Sequence, residues 1–171
     1  MASFPALVEA LNRRGVRFVL IGVWGANFHA RDASALFTTL DYDLFLPPSP
    51  DNLLDAWHAC DEIGLSLEAG GEPLDTPRDR ALAAAVIRRR ASVRATGSDE
   101  ITVDLSLVMT AFEFEAVWDE RRVFLVEGEE LPVARLSHII RSKAAANRPK
   151  DRLFLATHAD ALRQMLDGDE E

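Results

Sequence analysis

The alternation of apolar and polar positions divides the chain into short helices and strands. Phe4, Leu7, Val8 and Leu11 recur at helical spacing, with Ser3 placed to cap the start and Gly15 to close the end. "RFVLIG" (17–22) reads as a buried strand running into a glycine turn, and "WGANFHA" (24–30) as a short helix opened by that turn. In "TTLDYDLFL" (38–46), Leu40, Tyr42, Leu44 and Leu46 fall on one face and Thr39, Asp41, Asp43 and Phe45 on the other, because side chains alternate along a strand. "LPPSPDN" stops that strand, and Ser49 or Asp51 caps a helix with Leu53, Leu54 and Trp57 inward, ending before Gly64. "EAGGEPLDTP" (68–77) predicts a loop, after which Thr76 and Pro77 start a helix over "RDRALAAAV".

In the second half, "VIRRRASVRA" and "EITVDLSLV" flank the turn signal "TGSD" and predict a hairpin. Its second strand sets Ile101, Val103, Leu105 and Leu107 on one face and Thr102, Asp104 and Ser106 on the other. Thr110 caps a helix through "AFEFEAVWDE", and residues 122–134 read as a second hairpin around "EGEE". "RLSHIIRSKAAAN" (135–147) is helical with Leu136, Ile139 and Ile140 inward. Pro149 forbids helix through Arg148 but suits the first turn of a new one. That last helix carries Leu155, Ala159, Leu162 and Leu166 on one stripe, and the acidic tail 167–171 frays. Trp57 and Trp118 belong to the core, Trp24 and His29 pack beside the first turn, and Arg88–Arg90 form an exposed strand or helix end.

Composition narrows the class. A chain of 171 residues is the size of one domain and buries enough surface to need no staple. One cysteine, Cys60, excludes a disulfide framework and fits a reducing, cytoplasmic compartment. The four histidines show no zinc-ligand spacing, no apolar run has the length of a membrane span, and no basic leader precedes the first apolar segment. A net charge of -9 argues against sequence-independent binding to nucleic acid. The cations comprise seventeen arginines and two lysines, Lys143 and Lys150, which lie close together in the chain.

Two strands, then, each have one apolar face and one small-polar face with aspartate at its centre. Residues i and i+2 of a strand project the same way about 6.5 to 7 Å apart, so Asp41 and Asp43 converge on one small volume. Such a pair stays ionised only if cations neutralise it. Hard oxygen ligands favour Mg²⁺ or Mn²⁺, and Asp104 on a neighbouring strand completes a site for two ions about 3.5 to 4 Å apart, the arrangement used in phosphoryl and nucleotidyl transfer. The alternative is an exposed strand face that binds nothing.

The order of these motifs resembles the nucleotidyltransferase superfamily that includes DNA polymerase beta and kanamycin nucleotidyltransferase, and more closely its minimal and abortive-infection-type prokaryotic members, many of them in toxin-antitoxin pairs. Gly22 matches the first glycine of the turn, Asn27 and His29 the helix, Thr39, Asp41 and Asp43 the D-x-D block, and Asp104 the third carboxylate. "IIRSKAAANRPKD" matches a later block through Lys143, Arg148, Pro149, Lys150 and Asp151. The chain departs at Val23, where a second glycine or serine is usual, and at Phe37, where arginine is frequent.

The resemblance implies a single α/β (α+β) domain over residues 1–171, with a small mixed sheet, helices packed on one face and extra C-terminal helices. It implies Mg²⁺-dependent transfer of a nucleoside monophosphate from an NTP to a hydroxyl on RNA, protein or a small molecule, with tRNA or a partner protein among the acceptors. Asp41, Asp43 and Asp104 would be catalytic and would hold the metal. Gly22, Val23, Thr39, Lys143, Arg148 and Lys150 would bind the nucleotide, the three cations neutralising its phosphates. A non-catalytic member of the fold, acting as an antitoxin or protein-binding partner, is the alternative.

Overall fold

The computed structural model describes residues 2–31 and 36–169. Ser3 opens helix α1 (Phe4–Arg13), its hydroxyl accepting the Ala6 N–H at 3.2 Å, and Phe4, Leu7, Val8 and Leu11 are buried. The chain continues through β1 (Val19–Ile21), α2 (Gly22–Phe28), β2 (Asp41–Phe45), α3 (Pro50–Glu62), β3 (Ser66–Ala69), β4 (Glu72–Pro73), α4 (Arg80–Arg88), β5 (Val93–Thr96) and β6 (Thr102–Ser106). It ends with α5 (Phe114–Asp119), β7 (Arg122–Val126), β8 (Glu129–Val133), α6 (Leu136–Ala146), α7 (Pro149–Thr157) and α8 (Ala159–Asp169). Among the described residues the strands form one mixed sheet of eight in the order β4-β3-β5-β6-β2-β1-β8-β7, parallel at β2/β6 and β1/β8 and antiparallel elsewhere.

One face of the sheet carries Leu20, Leu44, Val93, Ala95, Val103 and Leu105 into a core with α1, α3 and α4, where Trp57 is fully buried. On the opposite face, Val19, Ile21 and Phe45 pack under α5 and the C-terminal helices, whose Phe114, Val117, Leu136, Ile139, Leu162 and Met165 form a second core. That second layer leaves the sheet open beyond β2, and there the polar faces of β2, β5 and β6 come together.

Several elements depart from the periodicity, each for a local reason. Leu40 is 85% exposed because β2 begins only at Asp41, so alternation does not extend to it. Residues 68–77 are not a simple loop: Gly70 and Gly71, at φ +63° and +83°, close a tight turn between β3 and the edge strand β4. Helix α4 starts after Asp79, whose carboxylate accepts the Leu82 N–H at 2.9 Å, rather than at Thr76 and Pro77. It continues through Arg88 because Ala83 and Val86 bury one face. The β-branched residues at 86–87 are thus the end of a helix, with Arg88–Arg90 exposed behind it.

Thr110 does not cap α5. Ala111 at φ +76° breaks the backbone, and α5 begins only after Glu113. The last helix divides at His158, whose ring packs against Phe37 and Phe154, and Ala159 is exposed while Leu162 reaches the second core. The tail remains helical through Asp169, and the last two residues lie outside the described ones. Trp118 is only partly buried, with Arg121 stacked 3.8 Å over its ring. Among the described residues, no helix is long and apolar enough to cross a membrane.

Candidate active site

The turn after β1 brings backbone and carboxylate into contact. Gly22 has φ +70°, and a Cβ built on it would collide with Asp43 Oδ2, so both the conformation and the close approach require glycine. Gly25 is held for another reason: a side chain there would press on Ile139 Cδ1 and the Leu20 carbonyl, which fix α2 against α6 and β1. Asn27, 4% exposed, clamps the chain before β2. Its amide nitrogen donates to the Phe37 carbonyl at 3.0 Å and its oxygen accepts the Phe37 N–H at 2.7 Å. Phe37 is buried against Phe154 and His158. His29 caps α2, with Nε2 2.8 Å from the Ala134 carbonyl oxygen. Trp24 stacks on Tyr42, which also stacks on Phe4, so these rings hold α1, α2 and β2 together.

The polar faces of the strands are in register. Asp43 on β2 is the neighbour of Asp104 on β6, and Asp104 in turn lies opposite Arg94 on β5. Arg94 Nε donates to Asp104 Oδ1 at 2.9 Å and Nη2 to Oδ2 at 3.3 Å, and the same Nη2 is 3.6 Å from Asp41 Oδ2. Arg94 carries no local sequence signal of this role. A turn confined to "TGSD" would place it opposite a different residue. The turn instead closes between Gly97 and Ile101, and that shifts the register onto Asp104.

The facing wall comes from the junction of α6 and α7. Asn147 in the left-handed conformation, φ +52°, ends α6. Arg148 precedes Pro149, and Asp151 reaches back to the Arg148 N–H at 3.3 Å and to its Nε at 2.7 Å. Asp151 is buried, 1% exposed, and Lys143 Nζ lies 3.7 Å from it and 4.9 Å from the Phe154 ring centroid. One carboxylate thus serves two cations, Lys143 and Arg148, and with Lys150 beside them this wall carries net positive charge. Burial opposes ionisation of Asp151, but the Arg148 hydrogen bond and the nearby cations hold its carboxyl below the usual range.

The two walls bound a cleft of about 980 Å³. All nine residues singled out in the sequence line it: Gly22, Val23, Thr39, Asp41, Asp43 and Asp104 on the sheet side, and Lys143, Arg148 and Lys150 on the helical side. Arg90, Ser92, Arg94 and Ser142 join them. Burial, then repulsion by Asp104, lifts the pKa of Asp43 from 3.8 to about 6 against the pull of Lys143 and Lys150. Burial lowers the pKa of Lys143, with Asp151 and Asp43 opposing. A carboxylate held up by burial and by acidic neighbours is one that a divalent cation would relieve, so the donor set of Asp41, Asp43 and Asp104 fits Mg²⁺ or Mn²⁺ chemically. As the side chains stand, with Arg94 drawn onto Asp104 and Asp41, no group of three such donors among the described residues is gathered for an ion.

Strand, glycine turn, helix and a carboxylate strand parallel to a third carboxylate strand define the nucleotidyltransferase fold, and this chain has it. The lincomycin-bound crystal structure of the lincosamide antibiotic adenylyltransferase LnuA is similar over 96% of this chain and 98% of that one, with a TM-score of 0.58 at 10% identity. An antigenic nucleotidyltransferase-like protein from Paracoccidioides brasiliensis aligns over 95% of this chain and 76% of its own, at 11% identity and a TM-score of 0.47. JHP933 from Helicobacter pylori aligns over 95% and 70%, at 18% identity and 0.41. No protein-family model and no curated protein matches the sequence. At 10% identity the likeness to the LnuA structure establishes the fold, and the chemistry has to be argued from the cleft.

Proposed function

We propose that the protein is a Mg²⁺-dependent nucleotidyltransferase that transfers a nucleoside monophosphate from an NTP to an acceptor hydroxyl. The observation that carries the reading is the meeting, in one cleft, of a carboxylate floor on β2 and β6 with a cationic wall on α6 and α7. Asp41, Asp43 and Asp104 would hold the metal, which when bound neutralises the carboxylates and polarises the phosphates. Lys143, Arg148 and Lys150 draw the β- and γ-phosphates toward the helical wall and offset the charge of the departing pyrophosphate. The turn at Gly22 and Val23 begins a helix with no side-chain hydrogen bond from its N-cap, Ile21, and its leading N–H groups would meet phosphate oxygens. Thr39 and Trp24 support the strand and helix around that turn. Asp104 accepts the proton of the acceptor hydroxyl as the new O–P bond forms and the bond to pyrophosphate breaks. The fold shared with an adenylyltransferase supports this reaction class, and small-molecule, RNA (tRNA among them) and protein hydroxyls are the acceptors to test.

The test is incubation of the purified chain with Mg²⁺ and each α-labelled NTP, with RNA, protein or small-molecule acceptors present, following label transfer and pyrophosphate release. Asp41→Asn abolishes both. Absence of transfer with every NTP, together with nucleotide affinity that Asp41→Asn leaves unchanged, refutes the reading. A second reading, a non-catalytic antitoxin or protein-binding role, is favoured by Val23, whose β-branched side chain lines the cleft at the phosphate turn. Calorimetry with Mg²⁺ and ATP, GTP or CTP separates the two, since a binding-only protein gives no metal-dependent heat.

A further inference from the structure

Four charged residues stand in one row across four adjacent strands: Glu68 on β3 opposite Arg94 on β5, Arg94 opposite Asp104 on β6, and Asp104 beside Asp43 on β2. Residues paired directly across a sheet project from the same face, so the row alternates acid, base, acid and then acid again. Arg94 therefore has carboxylates on both sides. On the inner side it grips Asp104 with two hydrogen bonds and reaches Asp41 with the nitrogen that already serves Asp104. On the outer side a separate cavity of about 300 Å³, lined by Glu68, Gly70, Gly71, Ser92, Arg94 and Asp104, leaves room for the guanidinium to swing toward Glu68.

We infer that Arg94 is a built-in counter-ion for the carboxylate floor, occupying it while the metal is absent and moving to Glu68 when a divalent cation binds. The inference rests on the metal-dependent reading above. Its physical basis is the geometry: three acidic side chains share one floor, and the guanidinium of Arg94 already lies on Asp104 and within ion-pair distance of Asp41, where a divalent cation would have to sit. The oxygens of Asp104 that face Arg94 are those it would need as a ligand or as the acceptor of a proton, so the arginine and the metal exclude one another. Arg94 is about half exposed, and the pair it makes is screened by water, so its displacement is within reach of an ordinary metal affinity. Glu68, which also favours the charge on Arg94, supplies the second resting place and keeps the released guanidinium from pulling the metal's ligands away. Arg94 is by this account a positioning residue that decides when the floor is open.

The experiment is a calorimetric titration of Mn²⁺ into the full chain, for wild type, Arg94→Gln, Glu68→Gln and the double variant, with melting curves in chelator and in Mn²⁺. Arg94→Gln is expected to bind Mn²⁺ roughly tenfold more tightly, the scale of a screened arginine–carboxylate pair. It should melt lower than wild type in chelator and recover in Mn²⁺. Glu68→Gln binds the ion several-fold more weakly, and in the double variant the Glu68 substitution adds nothing, because its effect passes through Arg94. Equal or weaker Mn²⁺ binding by Arg94→Gln, with wild-type binding still lost in Asp41→Asn, overturns this inference and leaves the metal site standing. Absence of Mn²⁺ binding in every protein overturns both.

Discussion

The fold opposes the charge on Asp43. Burial and the neighbouring aspartates lift its pKa to about 6, from 3.8. An acid that is weaker in the folded state binds more protons there between those two values. Stability from this group therefore falls as the pH rises from about 4 to about 6, and stays low above that. A shift of about 2 pH units corresponds to a cost of about 3 kcal/mol once Asp43 is ionised. Asp43→Asn keeps the shape of the side chain beside Gly22 and removes the charge. In chelator, the variant is expected to exceed wild type by up to about 3 kcal/mol near neutral pH, or roughly 6–12 °C in Tm for a domain of this size. Near pH 4 the two should melt together. Mg²⁺ should raise the Tm of wild type at neutral pH and leave the variant nearly unmoved. Urea melts followed by circular dichroism across the acid-to-neutral range measure all of this. A variant no more stable than wild type at neutral pH, or one that shows the same gain in acid, would refute the reasoning.

Two further substitutions test the scaffold. Asn27→Ala leaves the Phe37 N–H and carbonyl buried without partners, for a loss of about 2 to 4 kcal/mol in urea unfolding from two deleted hydrogen bonds, and with it weaker nucleotide binding as the entry to β2 loosens. Gly22→Ala forces a side chain into the left-handed conformation and into Asp43, so a loss of about 1 to 3 kcal/mol in stability is expected together with loss of nucleotidyl transfer. Calorimetry and the label-transfer assay read the functional part.

Much of the site was legible in the sequence because its parts are local. The i, i+2 spacing of Asp41 and Asp43 on a strand, the glycine before α2 and the proline after Arg148 each act within a few residues. The same holds for the caps at Ser3 and Ser49, whose hydroxyls accept the Ala6 and Asn52 N–H groups. Leu40 misled because a periodicity does not announce where a strand begins, and residues 68–77 because two glycines serve a hairpin as readily as a loop. Arg94 was invisible because an arginine between Val93 and Ala95 reads as an exposed position on any half-buried strand.

Local pattern was enough to put Asp41, Asp43 and Asp104 each on the polar side of a strand, and to cluster Lys143, Arg148 and Lys150 about a break between helices. These follow from backbone periodicity and from the stereochemistry of proline and glycine. The pairing of the strands, with Asp43 beside Asp104 and Arg94 across from it, and the docking of the helical break over them, with Lys143 and Lys150 acting on Asp43, came from the packed fold. Register and docking are set by the two cores on either side of the sheet, built from contacts between residues far apart in the chain, and no local pattern carries that information.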